Sequence, residues 1–278
     1  MQETILKRIA GMNYYYRYYT IDYFFDSLKK NHIQNFELWT CTHHFELSDM
    51  TYQETKKFKK KIDQYGLHMI CLTPEQSNPK PYNLAAKEPQ LQEKAKRYFM
   101  NAIRVASELD CKQLSLNSGW DFYSENPNEA WKRSVSMMNE LAEFARKNNV
   151  TIVLEALQPD ESHLVNTIND LTLYLEAVNQ DNLFVNIDFG AMARAHETID
   201  QYFLAFGEKI RHCHFVDGKP TGHLAWGDGN RDILTDFNDL IKNGYLGWLT
   251  FEFANSSYFN QPFETDRRVI QHIKNMIH

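Results

Sequence analysis

The sequence has no Cys-x-x-Cys pair, no apolar stretch near the ~20 residues of a membrane helix, and no Gly-rich turn of the kind that cradles phosphate. The first absence excludes a zinc knuckle and a thioredoxin-type redox motif. Cys41, Cys71, Cys111 and Cys213 each stand in or beside an apolar run, so buried free thiols are expected. The second leaves no membrane partner to expect. Residues 1–9 carry charge and no apolar signal segment, so a soluble, cytoplasmic protein is expected. The third argues against a doubly wound dinucleotide-binding sheet and leans towards a ligand without phosphate. Positive charge is also short. With 30 Lys and Arg against 36 Asp and Glu the formal net charge is −6, which argues against a nucleic-acid partner bound through its phosphates. No Pro/Gly/Ser-rich linker divides the chain, and the eight prolines fall at loop edges, with Pro74, Pro79 and Pro81 close together. Residues 1–278 therefore read as a single domain.

What is present is an alternation. Eight short apolar runs recur: Ile9–Met12, Phe36–Trp39, His68–Thr73, Gln113–Asn117, Thr151–Leu157, Leu183–Phe189, Ile210–Val216 and Trp248–Phe253. They are rich in β-branched and aromatic residues, as buried parallel strands are. Amphipathic stretches lie between them, at Asp22–Lys30, Gln90–Leu109, Glu129–Lys147, Leu171–Val178, Ile199–Phe206, Phe237–Lys242 and Arg267–Ile277. Eight such runs alternating with amphipathic stretches over 278 residues predict an α/β fold of the (β/α)8 TIM-barrel type, which needs ~250 residues. The 18 Phe, 15 Tyr and 5 Trp suit a wide core first, and a ligand pocket or a homo-oligomer interface second.

In such a barrel the chemistry sits at the C-terminal ends of the strands. The fifth to eighth runs carry, in order, Glu155, Asp188, His214 and Glu252. Each gap is about the ~30 residues of one βα unit, so the four converge on one mouth. A lone Glu late in a strand is usually a loop-edge residue, and a lone His is usually a hydrogen-bonded core residue. His212 is read in that second way. Four such groups among Val, Leu, Ile and Phe are costly to bury unless they share a cation. Three carboxylates and one imidazole favour one divalent cation, Mn²⁺ or Mg²⁺ first, with Co²⁺, Fe²⁺ or Zn²⁺ also compatible.

These four ligands resemble those of the xylose isomerase-like barrel superfamily, which includes sugar isomerases, sugar epimerases and endonuclease IV. The segment GHLAWGDGNRD resembles its loop after the seventh strand, through His223, Gly227, Gly229 and Asp232. The segments LTPEQSNPKPYNLA and LEALQPDESHLV look like those of fructoselysine 3-epimerase-type proteins and related ketose 3-epimerases. The resemblance implies substrate contacts at Glu75, Asn83 and Glu161, and, through FELWTCTHHF, at Trp39 and His44. Two positions depart from the ketose 3-epimerase pattern. Ala191 stands where those enzymes carry His, and Pro220 where they carry Arg. Both departures shift the expectation from a free ketohexose towards a substituted, fructosamine-type sugar.

The implied reaction is proton transfer beside a carbonyl, through an enediolate. Glu155 and Glu252 face the reacting carbon from opposite sides as acid and base, and the cation acts as Lewis acid. Trp39, Trp120 and Trp226 are candidate pocket walls, with core packing the plainer role for each. His223 is a candidate substrate contact or a partner of the metal ligands, with a loop-stabilising role equally open. Dehydration of a keto-inositol or polyol on the same site is the alternative. An endonuclease IV-like nuclease would need more His ligands and a basic groove, and a non-catalytic sugar-binding barrel would need no second glutamate.

Overall fold

Within each strand, alternate residues face opposite sides, and this alternation decides what fills the barrel. In the computed structural model, which describes residues 6–41, 43–47, 52–76 and 81–277, eight parallel strands close into one barrel in sequence order. They are β1 (Ile9–Met12), β2 (Asn35–Trp39), β3 (His68–Thr73), β4 (Gln113–Asn117), β5 (Thr151–Glu155), β6 (Leu183–Asp188), β7 (Ile210–His214) and β8 (Leu249–Phe251), with β1 pairing β8 to complete the circle. Phe36, Leu38, Leu114, Leu116, Ile152, Leu154, Val185 and Ile187 belong to the large core under the helices. The residues between them, Glu37, Trp39, Ser115, Asn117, Val153, Glu155, Asn186 and Asp188, take the other face. A small apolar group of Ala10, Ile70, Cys71 and Val153 packs separately from the main core.

The helices are α1 (Ile21–Lys30), α2 (Tyr52–Tyr65), α3 (Pro89–Glu108), α4 (Pro127–Lys147), α5 (Ile168–Val178), α6 (Phe189–Arg194), α7 (Ile199–Phe206), α8 (Ile233–Lys242) and α9 (Pro262–Ile277). Most start before their apolar pattern does, because caps build the first turn. Thr167 and Asp170 form a capping box at α5, and Asp232 accepts from Leu234 N and Thr235 N at α8. The lysine-rich α2 was not expected. Among its described residues Phe58 and Ile62 are the buried apolar ones, with buried Thr55 beside them and Tyr65 packed on the edge of the core.

Strands β5 to β8 end earlier than their apolar runs suggest. The runs through Leu157, Phe189, Val216 and Phe253 stop as strand at Glu155, Asp188, His214 and Phe251. At three of these ends the last strand residue is a chemical one. Register then sets their level: Asn117 pairs with Glu155, and Asp188 with His214. Cys71, Cys111 and Cys213 are buried free thiols, while Cys41 is partly exposed. Among the described residues no helix is long and apolar enough to cross a membrane. Pro79, with residues 77–80 of the LTPEQSNPKPYNLA segment, lies outside the described residues, as does Thr42 of FELWTCTHHF.

Candidate functional site

At the C-terminal mouth, Glu155, Asp188, His214 and Glu252 each present a ligand atom, all within 4.8 Å of one another. His214 is the centre. Its Nδ1 lies 2.9 Å from Glu155 Oε2, 2.9 Å from Glu252 Oε2 and 3.6 Å from Asp188 Oδ2. Glu252 stands one residue past β8, and Asp188 caps α6 by accepting from Ala191 N at 2.6 Å. Ala191 is thus a buried residue in the first turn of that helix.

The electrostatics follow from this crowding. Burial works against charge on His214, but Glu252, Glu37 and Glu155 hold its imidazole charged well above the ordinary range. Burial pushes the Glu155 carboxyl up to about 7, against the pull of His214. Burial also acts upward on Asp188, but His223 and His214 hold it well below the usual carboxylate range. His223 Nε2 lies 2.9 Å from Asp188 Oδ2; although burial lowers it, Asp188 raises this imidazole to about 10. Three carboxylates and one buried imidazole form an oxygen-rich donor set. That donor set fits a hard divalent ion.

Above the cluster is a cavity of about 510 Å³. Of the residues expected to touch substrate, Trp39, Glu75, Trp120, Glu161 and His223 line it. Trp120 Nε1 is buried there with no partner. His44 and Asn83 do not line it, and both have structural work instead. His44 Nδ1 meets Asn13 Nδ2 and its Nε2 meets Tyr19 O, each at 2.8 Å, and burial lowers this ring to about 4. Asn83 donates to Trp120 O at 2.8 Å and accepts from Trp120 N at 2.9 Å, so it sets Trp120 in place. Trp226 is a core residue, not a pocket wall: it is buried, packs on Phe215 and donates Nε1 to Phe215 O at 3.1 Å. Pro220 lies in the exposed part of the loop after β7.

That loop owes its shape to a residue the sequence motif did not single out. Asp217 accepts from the N–H groups of Gly218, Gly227, Gly229 and Arg231 at 2.7, 3.0, 2.8 and 3.0 Å. A Cβ on Gly229 would stand 2.0 Å from Asp217 Oδ1, and Gly227 has φ +95°, so both glycines are needed. The same loop delivers His223 to Asp188.

Four more residues were missed. Tyr14, Gln76 and Asn117 line the cavity. Glu37 lies beneath the cluster, fully buried, with its Oε2 2.7 Å from His212 Nε2 and its Oε1 3.3 Å from His214 Nε2. Thr73 Oγ1 also donates to it, and Gln113 Nε2 meets the far nitrogen of His212 at 2.9 Å. Burial acts to raise the Glu37 carboxyl, but His212 and His214 hold it well below the usual range. His212 is the hydrogen-bonded interior histidine it was read to be. Glu37 had one signal in the sequence: it shares strand parity with Trp39.

The profile of the xylose isomerase-like TIM barrel matches residues 25–276. The chain belongs to this family. It is 28% identical over 243 residues to a fructoselysine 3-epimerase of Shigella flexneri, covering 87% of each chain. Its fold is similar to that of a 3-keto-D-glucoside 4-epimerase from E. coli (TM-score 0.80, 15% identity, 96% of this chain and 99% of that one). It is also similar to a D-psicose 3-epimerase from Clostridium cellulolyticum H10 (TM-score 0.77, 17% identity, 97% of each chain). At those identities the two structures speak for the fold. In the structure Glu155, Asp188, His214 and Glu252 stand at the C-terminal end of the barrel, the end at which barrels of this kind carry their active sites.

Proposed function

We propose that this protein is a divalent-metal-dependent sugar epimerase that inverts C3 of a ketose or fructosamine-type sugar. The carrying observation is that Glu155 and Glu252, three strands apart around the barrel, each reach the same His214 Nδ1 at 2.9 Å. Two carboxylates that flank one point suit removal of a proton on one face of a carbon and its return on the other. The name of the sequence relative, a fructoselysine 3-epimerase, supports the reaction class. It gives no support to the dehydratase or nuclease alternatives.

Glu155, Asp188, His214 and Glu252 would hold the ion, Mn²⁺ or Mg²⁺ by donor type. When bound, it supplies Lewis acidity to the substrate's carbonyl and neighbouring hydroxyl. The protein's residues do the rest. Glu155 takes the C3 proton on one face. Glu252 delivers a proton to the opposite face. Negative charge that spreads over the enediolate lies close to the charged His223. Trp39 and Trp120 wall the site, and the unpartnered Trp120 Nε1 can donate to a sugar oxygen.

The test is a panel of ketoses and fructosamines incubated with Mn²⁺ in deuterated water. Deuterium at C3 together with a C3 epimer of unchanged skeleton supports the reading. A product lighter by one water would replace it with the dehydratase, and no deuterium in any substrate would sink enediolate chemistry.

A further inference from the structure

The cavity above the metal cluster does not end at its aromatic wall. Trp39 and Glu75 also line a second cavity of about 560 Å³ on their other side. That cavity is bordered by Arg17, and Arg17 is unusual in its surroundings. Its guanidinium lies over three rings, 4.1 Å from the Tyr14 centroid, 4.7 Å from Phe259 and 5.2 Å from Trp39. Its Nε donates to Tyr14 O at 3.1 Å, but its Nη2 is buried with no hydrogen-bond partner. Among the described residues no carboxylate forms an ion pair with it. A guanidinium stacked among rings is shielded from water, and its planar fork matches a carboxylate in a two-point contact.

We propose that the second cavity is a subsite for the substrate's substituent, and that Arg17 binds a carboxylate at the far end of that substituent. The proposal rests on the epimerase reading for the sugar end alone. Tyr14 and Trp39 connect the two ends: both line the sugar cavity, and both stack under Arg17. A sugar held at the metal cluster with a chain on its anomeric side would pass Trp39 to reach Arg17. The planar fork of Arg17 matches the two oxygens of a carboxylate, which makes a carboxylate the group this cavity is fitted for. The substrate class is then a sugar joined to an acid-bearing chain, which a free ketohexose is not.

The test uses two N-substituted 1-amino-1-deoxyfructoses of equal length, one ending in carboxylate and the other in carboxamide, with fructose 6-phosphate as a third ligand. Calorimetric titration of the wild-type protein with Mn²⁺ present should show about tenfold tighter binding of the carboxylate than of the carboxamide. In Arg17→Met that ratio should fall to about one, and Arg17→Lys should retain part of it. Should Arg17→Met not fold, the ratio in Arg17→Lys decides, since it must fall below the wild-type value. Equal affinities in the wild type, or an undiminished ratio in the variants, overturn the subsite. Tighter binding of fructose 6-phosphate than of the carboxylate ligand overturns the carboxylate assignment. Deuterium incorporation at C3 in the same samples reads the epimerase reaction separately. Arg17-dependent binding without exchange counts against the reaction and upholds the subsite; exchange with a wild-type ratio of one does the reverse.

Discussion

Glu37 Oε1 lies 3.3 Å from Nε2 of His214, the ring nitrogen opposite the one that faces Glu155 and Glu252. A carboxylate on the outer nitrogen of a ligand histidine fixes the ring and raises its basicity. Glu37 is itself held by Thr73 and His212. Glu37→Gln should therefore weaken Mn²⁺ binding by roughly 10- to 100-fold. Calorimetric titration of chelator-stripped protein measures this. The thermal midpoint without metal is the control, because a purely structural defect would lower that midpoint and leave the Kd of the folded fraction unchanged.

Glu155→Gln and Glu252→Gln should each lower kcat by at least about 10²-fold, the usual contribution of a positioned acid or base. Circular dichroism should remain that of the native barrel, since both side chains sit at the mouth and not in the apolar core. A wild-type rate in either variant would remove the two-base scheme.

Stripping the metal should abolish activity and lower the thermal midpoint. Restoring a divalent ion at a hundred times its Kd should return about 2.7 kcal/mol of stability. A thermal scan with and without chelator, repeated with Mn²⁺, Mg²⁺ and Co²⁺, checks this. Identical midpoints throughout would argue that the four side chains hold no ion.

Gly229→Ala should displace the loop after β7, because a Cβ there would stand 2.0 Å from Asp217 Oδ1. The loop carries His223 to Asp188, and a misplacement of about 1 Å at such a contact can cost roughly 10²-fold in rate. Steady-state kinetics of the folded protein should show that loss in kcat/KM, and the thermal midpoint should also fall as buried Asp217 loses backbone donors.

Asp266 is buried and accepts from the hydroxyls of both Tyr15 and Tyr16. Burial raises its carboxyl to about 7, against the lowering effect of those two hydrogen bonds. The unfolded-state value is about 3.9. A raised folded value means the folded protein holds the proton more tightly than the unfolded chain. The stabilisation is thus fully present below about pH 4 and is lost as pH rises through about 7. The loss is on the order of 4 kcal/mol. Urea midpoints of wild type and Asp266→Asn, measured between pH 4 and 8, should show wild type losing its advantage across that window. A constant difference would mean Asp266 is ionised throughout.

The sequence by itself determined the barrel and the four-residue cluster at its mouth. The strand-helix alternation is local, and Glu155, Asp188, His214 and Glu252 fall on or beside strands whose parity sends them inward. Gly227 and Gly229 of the loop after β7 were singled out through the resemblance of GHLAWGDGNRD to the family's loop, and the structure shows the backbone geometry that requires them. Helix starts were less legible, because caps such as Asp232 and Thr167 build turns that have no apolar period.

Only the tertiary structure decided what lies one layer away. Glu37 and His214 are far apart in sequence, and closure of the barrel brings them to 3.3 Å. His44 and Asn83 looked like substrate contacts by resemblance, yet Asn13, Tyr19 and Trp120 occupy their polar atoms. Trp226 looked like a wall and packs into the core on Phe215. Arg17 carried no signal at all, because an unpartnered charge is visible only when every neighbour that could meet it has been placed. Local pattern sets which way a side chain points, and long-range closure sets what it meets there.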